Sequence, residues 1–134
     1  MRAVDGAQAD WFSTALFFDA EFAVSETSDR MGIRLMGDPV AWPGRELVSE
    51  PVCPGTVQVT PDSQCIVLGV DCQTIGGYPK IAQVIGADLD KLGQLRPGDG
   101  VRFQRVSLGE AEAIYRTKED EVRRWLIRIR AACG

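Results

Sequence analysis

The chain contains no histidine, so any acid–base chemistry falls to Asp, Glu, Lys, Tyr or Cys. Its four cysteines include no C-x-x-C pair, and with no imidazole to complete a ligand set this argues against a zinc site. Cys65 opens an apolar run and reads as a small buried hydrophobe, Cys72 sits in a polar segment open to solvent, and reduced thiols in a cytoplasmic setting are expected. No apolar run approaches membrane-spanning length, and no basic region followed by an apolar core marks a secretory leader, so no membrane partner is expected. There is no G-x-x-x-x-G-K-[ST] phosphate loop. Positive charge is short too: 15 Lys and Arg stand against 19 Asp and Glu, a formal charge of −4. The one basic cluster, Arg123, Arg124, Arg128 and Arg130, reads as the solvated face of a last helix, which leaves no footprint for nucleic acid.

What is present fits one globular domain spanning residues 1–134, with 45% hydrophobic residues to build a core. A short strand and a glycine turn open the chain, and Ala9-Asp10-Trp11-Phe12 is expected to begin a helix capped by Asp10. Strands are predicted over Glu21 to Ser25 and Met31 to Met36, with Ser28-Asp29 as turn chemistry between them. Asp38 to Arg45, with two prolines and a glycine, is a loop, and Glu46 to Val52 is extended. Thr56 to Thr60, the turn Pro61-Asp62-Ser63 and the apolar run Cys65 to Val70 form a hairpin. A short helix is expected over Ala87 to Leu95. Val101 to Val106 alternates as a single strand, and Ser107 with Glu110 forms a capping box for a closing helix. Many short strands with Gly/Pro turns and few helices predict a mainly β fold with peripheral helices (α+β), a barrel or sandwich.

Polar chemistry concentrates in Asp71-Cys72-Gln73-Thr74-Ile75-Gly76-Gly77-Tyr78-Pro79-Lys80, directly after the apolar run. Polar groups just beyond a buried strand are held in place by the sheet. Asp71 accepts N–H bonds, Gln73 donates and accepts, and Lys80 neutralises a developing oxyanion, a set suited to a small planar amide or carboxylate. Gly76 and Gly77 are expected to turn the chain sharply through positive φ and to present N–H groups to an anion. In Ser28 to Leu35, Arg30 and Arg34 are an even number of residues apart and are expected on one face of a strand, as a clamp for an anion. Ser49-Glu50, ahead of Pro51, Pro54 and Gly55, supplies a hydroxyl and a carboxylate in a shaped loop.

These segments stand in a fixed order: Ser28-Asp29-Arg30-Met31-Gly32-x-Arg34-Leu35-x-Gly37, Ser49-Glu50-x-Val52-x-Pro54-Gly55-Thr56-Val57-Gln58-Val59, Asp71-x-Gln73-Thr74-x-Gly76-Gly77-Tyr78-Pro79-Lys80-Ile81, and Asp88-Leu89-x-x-Leu92-x-Gln94-Leu95-x-Pro97-Gly98-Asp99. Together they resemble the biotin-dependent carboxyltransferase family that includes allophanate hydrolase subunit 2, the C subunit of 5-oxoprolinase and KipA. The resemblance covers about Arg2 to Ala113. It implies a cyclophilin-like β-barrel and chemistry on a small amide, either carboxyl transfer to urea or ATP-dependent opening of 5-oxoproline. It implies Asp71 and Lys80 as catalytic groups, with Gln73, Thr74, Gly76, Gly77, Tyr78, Arg30, Arg34 and Glu50 around the substrate. It further implies a subunit 1-like (KipI-type) companion and an N-terminal half of the family domain that this chain lacks, residues 108–134 being a helical tail. No cofactor is expected on this chain alone, with ATP or carboxybiotin met only in the complete complex. The same resemblance allows a KipA-like binding module that sequesters a regulatory partner without catalysis.

Overall fold

The computed structural model describes residues 1–133. In chain order the strands are β1 (Arg2–Asp5), β2 (Phe22–Val24), β3 (Gly32–Met36), β4 (Glu50–Pro51), β5 (Thr56–Val59), β6 (Cys65–Leu68), β7 (Ile75–Gly76), β8 (Lys80–Val84), β9 (Gly100–Val101) and β10 (Gln104–Arg105). Three α-helices accompany them: α1 (Thr14–Asp19), α2 (Leu89–Leu92) and α3 (Leu108–Cys133). Eight strands share one sheet in the order β10-β1-β8-β5-β6-β3-β2-β9, while β4 and β7 pair as a separate ribbon. All pairs are antiparallel except β1 with β10. The outermost strands of that order, β9 and β10, are separated in the chain only by Arg102 and Phe103, so the sheet rolls into a barrel whose seam the chain itself crosses. The fold is therefore mainly β with a few helices, α+β and barrel-like.

That crossing corrects one expectation. Val101 to Val106 is not a single strand, because its first part pairs with β2 and its last with β1 on the far side of the seam. Inside-outside alternation holds from Val101 to Gln104 and then slips by one residue, since Gln104 and Arg105 are both exposed and Val106 is buried. The N-terminus stitches the seam: the Met1 ammonium donates to the Arg102 carbonyl at 2.9 Å, and Gln104 N–H donates to the Met1 carbonyl at 2.8 Å.

The barrel interior holds Ala3, Val24, Ile33, Leu35, Val57, Val59, Val67, Ile81, Ala82 and Val84. One end is plugged by aromatics. Phe17 of α1 stacks on Phe103 with ring centroids 4.8 Å apart, and Phe22 meets Phe103 edge-on at 6.0 Å. The helix expected from Ala9 begins later, since Ala9–Trp11 is only a 3-10 turn and the cap position of α1 falls on Ser13 rather than Asp10. Extended pairing in Glu46 to Val52 begins only at Glu50–Pro51, where β7 lies alongside. The run Cys65 to Val70 ends as a strand at Leu68, and Val70 is turned out to solvent. The helix expected over Ala87 to Leu95 is a 3-10 turn, Gly86–Asp88, followed by α2.

The closing helix has its capping box: Glu110 N–H donates to Ser107 Oγ at 3.1 Å, and Ser107 N–H donates to Glu110 Oε1 at 3.2 Å. Its first turns pack Ala111 and Ile114 on Ile85, Ala87 and Val106, while Val122, Trp125, Leu126, Ile127 and Ile129 further along are exposed. All four cysteines are free, and burial pushes the Cys65 thiol up to about 12. No helix of the described residues is long and apolar enough to cross a membrane.

Candidate functional site

Register assigns faces. Directly opposed residues in neighbouring antiparallel strands point to the same side. Gln58 opposes Ile66 and Ile66 opposes Arg34, so these three side chains form one row across β5, β6 and β3, and Lys80 of β8 opposes Gln58 across a register shift between Val57 and Gln58. The adjacent row of Ala82, Val57, Val67 and Ile33 faces the core. The barrel thus carries an outer polar face, partly roofed by the β4–β7 ribbon.

Lys80 is nearly buried, which is tolerable for an ammonium only when it is paired and hydrogen-bonded. Its Nζ donates to Glu50 Oε2 at 2.9 Å. Gln8 completes the group: its Nε2 donates to both Glu50 oxygens at 3.3 Å, and its Oε1 accepts the Lys80 main-chain N–H at 2.9 Å. The Lys80 ammonium, then the Gln8 amide, hold the Glu50 carboxyl below its ordinary range, so Glu50 is an anion at neutral pH. The approach of Gln8 requires Gly6, because a Cβ there would lie 2.4 Å from the Lys80 carbonyl oxygen. Gln8 is a functional residue that motif spacing does not single out; its one signal in the sequence is a glycine two residues before it, just after β1.

Opposite Lys80, Gln58 is 3% exposed and its Nε2 has no hydrogen-bond partner among the described residues. The ribbon passes directly over it at Gly76, where a Cβ would sit 2.6 Å from Gln58 Nε2. This is the reason for glycine at 76, and it corrects the expectation of a sharp turn. Neither Gly76 nor Gly77 has positive φ, and Gly76 lies in the extended ribbon. A cavity of about 250 Å³ opens here, lined by Arg34, Gln58, Gln73 and Tyr78 together with Asp29 and Ile66. Arg34 is exposed and makes no ion pair among the described residues.

The remaining predicted residues lie elsewhere. Asp71 accepts from Arg30 Nε at 2.7 Å, with both side chains well exposed. Arg30 precedes β3 instead of sharing its face with Arg34, because the Asp29 carboxylate accepts the N–H groups of Met31 at 2.9 Å and Gly32 at 3.1 Å and bends the chain there. Arg30 instead lines a larger, mostly apolar cavity of about 670 Å³ at the barrel end with Val24, Ile33, Leu89 and Leu92. Thr74 is exposed, and its carbonyl accepts from Val52 N–H at 2.9 Å, extending the ribbon. Gly77 lies beside Ser49 without close contact. The structure therefore joins Lys80 to Glu50, and Arg34 to Gln73 and Tyr78, while Asp71 and Lys80 each have an ion partner of their own. No group of three or more His, Cys, Asp or Glu able to hold a metal ion occurs among the described residues.

Residues 1–105 match the family described as carboxyltransferase domain, subdomain A and B. The chain belongs to this carboxyltransferase domain family. Among its relatives, the 5-oxoprolinase C subunit of Haemophilus influenzae is 44% identical over 108 residues, covering 78% of this chain and 35% of that protein. The Escherichia coli protein of the same name is 39% identical over 127 residues, covering 92% of this chain and 40% of its own. The chain thus spans well under half the length of either carboxyltransferase-domain relative. Among solved structures, Kluyveromyces lactis urea carboxylase superposes with a TM-score of 0.83 at 25% identity, over 91% of this chain and 12% of that one. This carboxyltransferase-type fold thus recurs both in separate subunits and as a segment of much longer chains.

Proposed function

We propose that this chain is the barrel segment of an enzyme that acts on a small amide, 5-oxoproline or urea. It would work with a subunit 1-like companion protein and with the part of the family domain that it does not span. The observation that carries this reading is the Lys80–Glu50–Gln8 group, fixed on the outer polar face beside the Gln58 cavity: an ammonium and a carboxylate, both held rigid, next to a recess of small-molecule size. Such preorganised charge is what stabilises the developing oxyanion of an attacked amide. Greater identity to the C subunits of two 5-oxoprolinases than to a urea-processing chain supports 5-oxoproline as the substrate.

ATP or carboxybiotin would supply activation when the complete assembly carries it. The polar face does not fit a triphosphate, since the chain has no phosphate loop. Activation is therefore assigned to the companion chains, and this segment binds and orients the amide.

Lys80→Met in the reconstituted complex is expected to lower turnover at least about a hundredfold. Lys80→Arg, which keeps the charge opposite Glu50, should retain more, and thermal denaturation of both variants separates lost chemistry from lost fold. Turnover of 5-oxoproline and urea by Lys80→Met at the wild-type rate would overturn the assignment. A stable complex with the companion but no turnover of either compound would instead mark the chain as a binding module.

A further inference from the structure

We infer that the outer part of α3 pairs with the same helix of a second copy of this chain, running antiparallel to it, so that the protein self-associates through a surface outside the barrel. The barrel uses only the first turns of this helix. Ala111 and Ile114 pack on it, and Lys118 Nζ donates to the Ala87 carbonyl at 2.6 Å and to Asp90 Oδ2 at 3.1 Å. Beyond that point every residue from Glu119 to Cys133 is exposed. An arm of this length is marginal as a helix in water unless one face is packed. It also lies past residue 105, where the match to the carboxyltransferase domain ends. On a helix that turns about 100° per residue, Val122, Trp125, Leu126, Ile129 and Cys133 fall in one stripe, with Ile127 on the opposite side. Val122, Trp125, Leu126 and Ile129 are 50%, 63%, 47% and 52% exposed, so the stripe is apolar and uncovered.

The charges beside the stripe select its occupant. Glu119 and Arg130 flank it on one side, Glu121 and Arg128 on the other. None of the four is in an ion pair among the described residues. About a two-fold axis across the helix, each flank meets the same flank of the second copy. Glu119 then opposes Arg130 of the second copy, and Glu121 opposes its Arg128. Both pairs share one midpoint, between Arg124 and Trp125, so a single register satisfies them and symmetry repeats each. The same register brings Val122 beside Leu126 of the second copy and the two Trp125 rings together near the axis. A recess of about 320 Å³ lined by Gly86, Tyr115, Glu119 and Val122 lies where the second copy's helix ends. A parallel pair would instead set acid against acid and arginine against arginine. An anionic membrane would attract Arg128 and Arg130 but repel Glu119 and Glu121 on the same flanks.

One helix face is a small interface, so dissociation in the micromolar range is expected, and sedimentation velocity at rising concentration should show the chain doubling in mass. Glu119→Arg with Glu121→Arg, or Arg128→Glu with Arg130→Glu, should each weaken self-association at least about tenfold. An equimolar mixture of the two variants should regain it as a mixed dimer, since every contact is then complementary. All four side chains are exposed, so the barrel should melt as in wild type in both variants. The antiparallel register holds the two Cys133 thiols roughly 25 Å apart, and mild oxidation should not link them. A chain that stays monomeric into the high micromolar range would overturn the inference. So would undiminished association of either variant alone, failure of their mixture to associate, or rapid crosslinking of the dimer through Cys133. Co-sedimentation with phosphatidylserine vesicles by a chain that is monomeric without them would also overturn it, and would assign the stripe to a membrane surface.

Discussion

Replacing Asp88 by alanine is expected to lower stability by about 3 kcal/mol, the scale seen when one partner of a buried ion pair is removed. Asp88 is completely buried. Its Oδ1 accepts from Arg2 Nη2 at 2.7 Å, its Oδ2 accepts from Arg2 Nε at 3.1 Å and from the Arg2 main-chain N–H at 2.8 Å, and Lys91 Nζ approaches at 3.4 Å. The residue therefore ties β1 to the turn before α2, and alanine would leave the Arg2 guanidinium and N–H without their acceptor. Burial pushes the Asp88 carboxyl up, but the Arg2 and Lys91 contacts more than offset it, leaving it well below the usual carboxylate range. A depressed folded-state value means stabilisation fully present above the unfolded-state value, about pH 3.9, and lost as pH falls further. Urea denaturation should therefore show a steep loss of stability below about pH 4 in the wild type and a flatter one in Asp88→Ala. Parallel acid limbs in the two proteins would contradict this account.

Phe17→Ala is expected to destabilise by about 3–5 kcal/mol, the range for deleting a fully buried aromatic from a core. Phe17 has no exposed surface and touches Phe18 edge-on at 5.1 Å, Phe22 at 5.8 Å and Phe103 at 4.8 Å. It is also the only buried residue of α1, a six-residue helix whose N-cap side chain makes no hydrogen bond. Neither length nor capping can hold such a helix, so its place on the barrel end depends on this ring. Denaturation should show the loss, and Phe17→Leu should recover roughly half of it by refilling volume. A midpoint for Phe17→Ala within experimental error of wild type would refute the plug.

Local signals made the hairpin and the last helix legible. Thr56 to Thr60 alternates, Ser63 N–H closes the turn on the Thr60 carbonyl at 2.8 Å, and Ser107 with Glu110 forms the capping box that their spacing predicts. The site was legible as a neighbourhood but not as an arrangement. Gln8 and Lys80 meet across 72 positions, and Gln58 stands out only once the fold shows its Nε2 buried without a hydrogen-bond partner among the described residues. Pairing of this kind is set by the whole sheet, and no short window contains it. The displacement of Arg30 has a nearer cause: even spacing puts two residues on one face only within a strand, and Asp29 turns Arg30 out of it. Gly76-Gly77 shows that a glycine pair has two explanations, positive φ and close approach, which only the neighbours can separate.

The seam at Arg102 and Phe103 also dictates how this protein comes into being. Strand β1 is made well before its partner β10, which follows only about a hundred residues later, and Arg2 pairs with Gln104. Closing so long a loop is entropically expensive and is rewarded only once the sheet between is formed. The barrel should therefore fold slowly, in milliseconds to seconds, with β1 waiting on β8 until synthesis has passed Arg105. A nascent chain stalled before that point would carry an open sheet edge, the kind of surface on which chains aggregate.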